Sequence, residues 1–336
     1  RAVHDGDGVA MTNGGGADAV VVEHVVKRFG ERVALDDVSV RVGAGELFGF
    51  IGPDGAGKTT LFRILTTLLV PDGGNARVLD LDVVRGIWTL RRQIGYMPGR
   101  FSLYPDLSVE ENLRFFASVF GTTVEREYDQ IAPIYVQLEP FRTRRAAALS
   151  GGMKQKLALC CALVHRPTIL FLDEPTTGVD AVSRREFWEL LAKFCAGGLT
   201  ILVSTPYMDE ADQCDRVALM QRGRVLAIDA PRAITASYGH PLFAVRAAKR
   251  YAALQALRSY KNTASVYPFG EALHFVDARP DAAPDRIAAD AVDALRNAGF
   301  ADAAVTQIPA TIEDVFMARM GAPEGEEGDA PRGHAA

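Results

Sequence analysis

The chain has 336 residues, of which 48% are hydrophobic, and a formal net charge of −5. This length is sufficient to bury a sizeable core and to divide into one large and one small domain. Acidic and basic residues are interspersed, which argues against a nucleic-acid partner and against a polybasic membrane anchor. No stretch reaches the roughly 18 uncharged apolar residues of a spanning helix, so we expect another chain to cross any membrane that this protein serves.

Residues 1–18 are polar and glycine-rich, and we expect them to form a disordered tail. From residue 19 to 238, short apolar runs alternate with amphipathic segments, which predicts an α/β domain with helices packed on a largely parallel sheet. The strongest strand candidates are 19–26, 46–51, 168–172, 199–203 and 216–220. Predicted helices follow Gly57, Ser108, Ser150 and Asp180.

The helix after Ser108 has the clearest start. Ser108 and Glu111 have the spacing of a capping box, so the helix is expected to run from Val109 towards Phe120. The preceding segment, 94–106, is then expected to be a surface connection.

Residues 239–320 predict a second, smaller domain. Their runs alternate as strand, helix, strand, strand, helix and strand, followed by a closing helix from Thr311. That order predicts an α+β, ferredoxin-like domain, a scaffold that implies no function by itself. The acidic segment 321–336 is expected to be a disordered tail.

A glycine-rich loop joins an apolar strand candidate to a predicted helix. The loop fits the pattern G-x-x-x-x-G-K-[ST] and comprises Gly52, Pro53, Asp54, Gly55, Ala56, Gly57, Lys58 and Thr59, with Thr60 next in the chain. Its backbone N–H groups can point at phosphate oxygens, and the helix adds its positive dipole end. We expect Lys58 to reach the β- and γ-phosphates of ATP and the Thr59 hydroxyl to bind Mg²⁺. The alternative is a glycine-rich turn that fits by chance.

Two carboxylates follow the apolar strand candidate 168–172. Asp173 and Glu174 would lie at the carboxyl end of that strand, where the crevice of a parallel sheet opens. Asp173 can hold Mg²⁺, and Glu174 can act as the catalytic base that polarises the attacking water. An acidic pair after a strand is often only a solvated turn, but here it accompanies a phosphate loop.

The segment Leu149-Ser150-Gly151-Gly152-Met153-Lys154-Gln155 resembles the signature of the ATP-binding subunits of ABC transporters, and the resemblance extends over residues 20–230. It implies a P-loop NTPase cassette with a helical subdomain. It also implies that Ser150, Gly151 and Gly152 complete the ATP site of a second ATPase subunit, so that two chains enclose two ATP molecules. Phe29 matches the aromatic residue that stacks on adenine, and Asp180 matches the residue that communicates across the dimer.

Two positions depart from the family pattern. The family usually has glutamine at the position of Gly99, where it senses Mg²⁺ and the attacking water, and histidine at the position of Pro206, where it contacts the γ-phosphate. Glycine and proline cannot replace these side chains, and proline also lacks a backbone N–H. We therefore expect slow ATP hydrolysis, with Lys58 and Glu174 as the remaining catalytic groups.

The resemblance implies an ATPase that energises a separately encoded, multi-span permease from the cytoplasmic face of the cell membrane. The segment 311–316 is similar to the C-terminal extension of exporter ATPases, which favours export. Phe101, Leu103 and Tyr104 either form part of the surface that receives the permease or pack inward. Two other functions stay open: a regulatory ATP-binding partner with little turnover, and a soluble ABC ATPase without a permease.

Overall fold

The computed structural model describes residues 17–99 and 103–321, and the chain divides into two compact units between Pro231 and Arg232. Most of the two expected tails, and Phe101, lie outside the described residues, whereas Asp18 already begins the first strand. The domain limits given by the sequence stay predictions. No helix in the described ranges is long and apolar enough to cross a membrane.

The strands of the first unit form two sheets. They are β1 (Asp18–Phe29), β2 (Arg32–Gly43), β3 (Leu47–Ile51), β4 (Gly73–Val78), β5 (Leu81–Asp82), β6 (Ile94–Met97), β7 (Ile169–Asp173), β8 (Thr200–Thr205), β9 (Arg216–Gln221) and β10 (Arg224–Asp229). A four-stranded antiparallel sheet has the order β2-β1-β4-β5, and a six-stranded sheet has the order β10-β9-β3-β8-β7-β6. All pairs of the larger sheet are parallel except β9 with β10, which confirms the largely parallel sheet.

The helices of the first unit follow the strands along the chain. They are α1 (Lys58–Leu65), α2 (Ile87–Gln93), α3 (Val109–Val119), α4 (Tyr128–Tyr135), α5 (Gly151–Leu163) and α6 (Ala181–Ala196), and α7 (Pro231–Ala236) spans the division between the units. Ser108 Oγ accepts from Glu111 N–H, and the Glu111 carboxylate accepts from Ser108 N–H, so the predicted capping box is confirmed.

The prediction that the segment 94–106 is a surface connection was wrong for its first four residues. Ile94–Met97 form the edge strand β6 of the larger sheet. This strand has only four residues, and Gly95 interrupts its apolar run, so no strand periodicity was visible. The glycine is needed there, since a Cβ atom would lie 2.6 Å from the backbone oxygen of Ala162 in α5.

Aromatic packing fixes α1 against the larger sheet. Phe62 of α1 contacts Phe50 of β3 and Phe171 of β7 edge to face, each with ring centroids 5.6 Å apart. All three side chains are fully buried. The loop between β3 and α1 is therefore held at the carboxyl ends of the parallel strands, where ligands of such sheets bind.

The second unit has the predicted order of elements. It contains β11 (Leu242–Arg246), α8 (Arg250–Arg258), β12 (Thr263–Phe269), β13 (Ala272–Asp277), α9 (Pro284–Asn297), β14 (Ala304–Ile308) and α10 (Ile312–Gly321). The sheet order is β12-β13-β11-β14, and all neighbouring strands are antiparallel. The two helices α8 and α9 supply Leu254, Leu257, Ile287 and Leu295 to a separate hydrophobic core.

Candidate functional site

Close packing imposes glycine on the phosphate loop. A Cβ atom on Gly52 would lie 2.1 Å from the backbone oxygen of Met220, and one on Gly57 would lie 2.6 Å from that of Ala34. Gly55 and Gly57 also have φ values of 79° and 105°, which L side chains rarely adopt. These constraints bring the loop N–H groups and the start of α1 to one place, as the sequence pattern predicts.

Lys58 occupies the centre of this loop. Its buried ammonium Nζ donates to the backbone oxygens of Gly52, at 2.6 Å, and Pro53, at 3.1 Å. Burial lowers the pKa of Lys58, whereas the nearby carboxylates of Glu174 and Asp54 oppose that shift. The ammonium can exchange these carbonyl partners for phosphate oxygens, which bind a cation more strongly.

Thr59 and Asp173 form a pair of oxygen ligands that fits Mg²⁺. Thr59 Oγ1 donates to Asp173 Oδ1 at 3.1 Å. Neighbouring ligands of an octahedral Mg²⁺ ion lie about 2.9 Å apart, since each metal–oxygen bond is about 2.05 Å. Among the described residues no group of three or more histidine, cysteine or acidic side chains could hold a metal by itself. Proteins usually bind Mg²⁺ through one or two carboxylates together with water and substrate phosphates, and a phosphate loop adds a hydroxyl to such a site.

Glu174 points its carboxylate at the same place. Glu174 Oε1 lies 3.8 Å from Lys58 Nζ, and the side chain is 26% exposed. Burial raises the pKa of the Glu174 carboxyl, and the Lys58 ammonium partly offsets this shift. Its backbone has φ 50°, a strained left-handed conformation for a residue that precedes proline.

A pocket beside the loop is lined by further residues of the site. Phe29 is 51% exposed and lines this pocket together with Thr59, Thr60, Lys58 and Glu174. The side chain of Arg32 also lines it, with a guanidinium nitrogen 3.5 Å from the position of a Cβ on Gly55. The sequence analysis missed Arg32, although its signal was present: a basic residue three positions after the aromatic residue.

The signature segment begins α5. Ser150 is the N-cap of this helix, and its Oγ accepts from Met153 N–H at 3.3 Å. A Cβ atom on Gly151 would lie 3.4 Å from the backbone oxygen of Gly178, and one on Gly152 would lie 2.7 Å from Ser183 Oγ. The small residues therefore let α5 approach both the turn before α6 and the first turn of α6.

Asp180 is the N-cap of α6 within its own chain. Its Oδ1 accepts from Ser183 N–H at 3.0 Å and from Val182 N–H at 3.1 Å. These bonds, that of Ser183 above all, hold the pKa of the Asp180 carboxyl below its usual range. The carboxylate fixes the turn that carries it, and its communication across a dimer stays a prediction.

Gly99 lies next to the carboxylate pair, and Pro206 lies two residues after Ser204, the partner of Asp173 on β8. A Cβ atom on Gly99 would lie 3.0 Å from the backbone oxygen of Asp173. Pro206 directly follows β8, and the chain after it is held by Thr205, whose hydroxyl donates to Glu210 and accepts from Tyr207 N–H. Neither position offers the side-chain donor that the family pattern contains.

Ser204 is a second residue that the sequence analysis missed. It lies on β8 opposite Asp173 of β7, is fully buried, and its Oγ lies 2.5 Å from Asp173 Oδ1. The signal that could have found it is a hydroxyl residue near the end of β8, which lies between the phosphate-loop strand β3 and β7. The sequence alone does not give this strand order.

The fold and the phosphate loop together define the class of protein. It is a P-loop nucleotide-binding protein whose helix α5 begins within the signature segment. The ABC transporter family model matches residues 35–177. The chain is 42% identical over 218 residues to the probable multidrug ABC transporter ATP-binding protein YbhF of Escherichia coli, covering 64% of this chain and 38% of that relative. It is 39% identical over 222 residues to the Nod factor export ATP-binding protein I of Paraburkholderia xenovorans, covering 65% of this chain and 73% of the relative.

Among solved structures, the chain resembles the dimeric ATP-binding cassette MJ0796 bound to ADP and phosphate. The TM-score is 0.57 at 26% identity, and the match covers 63% of this chain and 98% of that structure. The chain belongs to the family of ABC transporter ATP-binding proteins.

Proposed function

We propose that this protein binds and slowly hydrolyses MgATP as one of two ATPase subunits, and that this cycle drives export through a separately encoded membrane permease. The observation that carries the proposal is the convergence of four groups in one place: Lys58 Nζ, the bonded pair Thr59 and Asp173, and the Glu174 carboxylate. Phosphate recognition, metal binding and activation of water need these groups together.

The residues divide the work as follows. Phe29 stacks on adenine, the loop N–H groups and Lys58 hold the β- and γ-phosphates, and Thr59 with Asp173 holds Mg²⁺. When bound, Mg²⁺ would neutralise part of the phosphate charge. Glu174 accepts a proton from the attacking water, and its raised pKa suits that role at neutral pH.

Ser150 and the glycines after it complete the site of a facing chain. The exposed serine hydroxyl and the free N–H groups at the start of α5 form a second anion site for the γ-phosphate. The MJ0796 cassette, which is dimeric with ADP and phosphate bound, supports such an assembly here.

The test of hydrolysis compares the purified chain with a Glu174→Gln variant. We expect measurable phosphate release from the natural sequence and a loss of about 100-fold or more in the variant, because a general base is removed. Equal rates would favour the second candidate function, a regulatory ATP-binding partner with little turnover, for which Gly99 and Pro206 argue.

An apolar groove supports the permease as a partner. Leu68 and Val119 are 55% and 61% exposed and line it beside Phe120, whose ring stacks on His165 at 3.7 Å. An exposed apolar groove of this kind suits an apolar helix of another protein. Leu103 and Tyr104, which the sequence placed either at the permease surface or in the interior, are not among the residues that line this groove; Leu103 is buried and Tyr104 is exposed.

Substitution within the groove tests the permease contact. We expect Val119→Asp to abolish co-purification with a membrane permease and to leave the ATPase activity of the isolated chain intact. Val136→Asp is the matched control, because Val136 is 57% exposed at the end of α4 and does not line the groove. Equal recovery of the permease with both variants would remove the groove from the interface.

Peripheral attachment at the cytoplasmic face of the membrane is part of the same proposal. The names of the relatives, one a multidrug protein and one a Nod factor export protein, support export as the direction. The transported molecule is chosen by the permease. The match spans 38% of the E. coli relative. Transport activity of the whole protein is therefore proposed here and is not taken from that relative.

A further inference from the structure

Ser204 connects the two carboxylate residues through one hydroxyl group. Its Oγ lies 2.5 Å from Asp173 Oδ1, and the backbone N–H of Glu174 donates to the same Oγ at 3.1 Å. The N–H of Glu174 also reaches the backbone oxygen of Ser204 at 3.0 Å. The serine is fully buried, so water does not compete for these bonds.

The chemistry of the groups fixes the direction of both bonds. An ionised carboxylate only accepts, so the Ser204 hydroxyl must donate its proton to Asp173. Its lone pairs are then available to accept from Glu174 N–H. One hydroxyl therefore orients the side chain of Asp173 and restrains the backbone of Glu174.

Both partners need such restraint. Asp173 Oδ1 also accepts from Thr59 Oγ1 at 3.1 Å, and a rotated carboxylate would separate this pair of oxygen ligands. Glu174 has φ 50° and is followed by Pro175, a combination that persists only when surrounding contacts enforce it.

We propose that Ser204 is a positioning residue for hydrolysis, which holds the Asp173 carboxylate in its metal-binding orientation and the Glu174 backbone in its strained conformation. This inference rests on the proposed function, since it concerns the same site. It is important here because Gly99, after β6, and Pro206, after β8, offer no side-chain hydrogen-bond donor. β8 thus acts on Glu174 through Ser204.

The first experiment compares Ser204→Ala with Thr200→Val in the full chain. Thr200 is a buried hydroxyl residue on the same strand, and its Oγ1 accepts from Gly45 N–H, away from the carboxylate pair. We expect Ser204→Ala to lower kcat about 10- to 100-fold and to raise the Mg²⁺ concentration needed for half-maximal tightening of a fluorescent ATP analogue about tenfold. Binding of the analogue in EDTA should be unchanged, and Thr200→Val should leave all three quantities near those of the natural sequence.

An unchanged kcat and Mg²⁺ requirement in Ser204→Ala would overturn the inference. Equal losses in Ser204→Ala and Thr200→Val would overturn it as well, because removal of any hydroxyl from β8 would then suffice. If the natural sequence releases no phosphate, the proposed hydrolysis fails, and the Mg²⁺ requirement for analogue binding still decides the role of Ser204.

A second pair of variants answers the case in which Ser204→Ala does not fold. Threonine and valine have nearly the same shape, so Ser204→Thr and Ser204→Val strain the buried site equally and differ in the hydroxyl. We expect the threonine variant to keep a kcat about tenfold or more above that of the valine variant. Equal kcat values for the two would contradict a positioning role.

Discussion

At the scale of single residues, Glu174 has two unusual properties that belong together. Its carboxyl is held among buried neighbours, which raises its pKa, and its backbone adopts a left-handed conformation. A base must be deprotonated to accept the proton of water. Because the pKa of Glu174 is raised, acidification should remove activity at a higher pH than it would for an ordinary glutamate.

The pH dependence of hydrolysis follows from that shift. We expect kcat to fall, on acidification, with a midpoint above the usual range of glutamate carboxyls, because protonated Glu174 cannot act as the base. The measurement is kcat against pH at saturating MgATP. The Glu174→Gln variant is the control and should show a flat residual rate in this range; the same midpoint in that variant would assign the titration to another group.

Restoring the side chains of the family pattern at Gly99 and at Pro206 should affect kcat differently. Pro206→His places a donor after β8, whereas Gly99→Gln places a Cβ 3.0 Å from the backbone oxygen of Asp173, a contact so tight that β7 must shift by a few tenths of an ångström. We expect Pro206→His to raise kcat about tenfold or more, and Gly99→Gln to leave it unchanged or lower. Steady-state phosphate release measures both, and a higher rate in Gly99→Gln than in Pro206→His would contradict this order.

At the scale of elements, the sequence predicted the strands and helices whose signals lie within a short stretch of the chain. The strand before Gly52, the helix after Gly57 and the helix after Ser150 follow from apolar runs and from residue patterns whose chemistry requires a given conformation. The antiparallel sheet was not predicted, and of its strands only β1 was expected. The pairing of β1 with both β2 and β4 joins separate parts of the chain and has no local signal. For the same reason Ser204 became visible only when its strand was placed beside that of Asp173.

The last helix, α10, is tied to the sheet of the second unit by Asp314. The buried carboxylate accepts from Thr311 N–H at 2.7 Å and from Tyr267 Oη at 2.7 Å, and it lies 2.5 Å from His274 Nδ1. Burial opposes ionisation, but the hydrogen bonds from Thr311 and His274 outweigh it and lower the pKa of Asp314. The ionised carboxylate therefore stabilises the fold at neutral pH.

Substitution of Asp314 should destabilise the second unit. We expect Asp314→Asn to lower the free energy of unfolding by about 1.5–3 kcal/mol, because bonds to a buried charged acceptor are lost. The stabilisation is present above the pKa of an unfolded aspartate and is lost as the pH falls through the lower folded value, so the difference between the two proteins should shrink in acid.

Thermal unfolding of the full chain at several pH values measures this effect. Asp285→Asn is the matched control, because Asp285 is an exposed residue in the first turn of α9 and should change stability by less than about 0.5 kcal/mol. An equal loss in both variants would show that any acidic residue at a helix start has this effect.

At the scale of the whole molecule, we propose that a second chain completes the ATP site of the first. The phosphate loop, Asp173 and Glu174 lie at the carboxyl ends of strands of the larger sheet, whereas Ser150 of the signature begins α5 and caps its own helix. If two chains meet head to tail around ATP, the contact surface is the start of α5, and a bulky cation there should prevent closure while each chain still binds ATP.

Ser150→Arg tests that assembly in a Glu174→Gln background, in which bound ATP persists. We expect the single variant to dimerise when MgATP is added and the double variant to stay monomeric at every MgATP concentration, with the affinity of the monomer for ATP unchanged. Light scattering coupled to size-exclusion chromatography measures the mass, and Ser118→Arg, at an exposed serine of α3, is the control for an added surface arginine. Loss of the Ser150 cap costs about 1 kcal/mol, so the melting temperature must confirm that the variant is folded. A folded Ser150→Arg protein that still dimerises with MgATP would exclude the start of α5 from the contact.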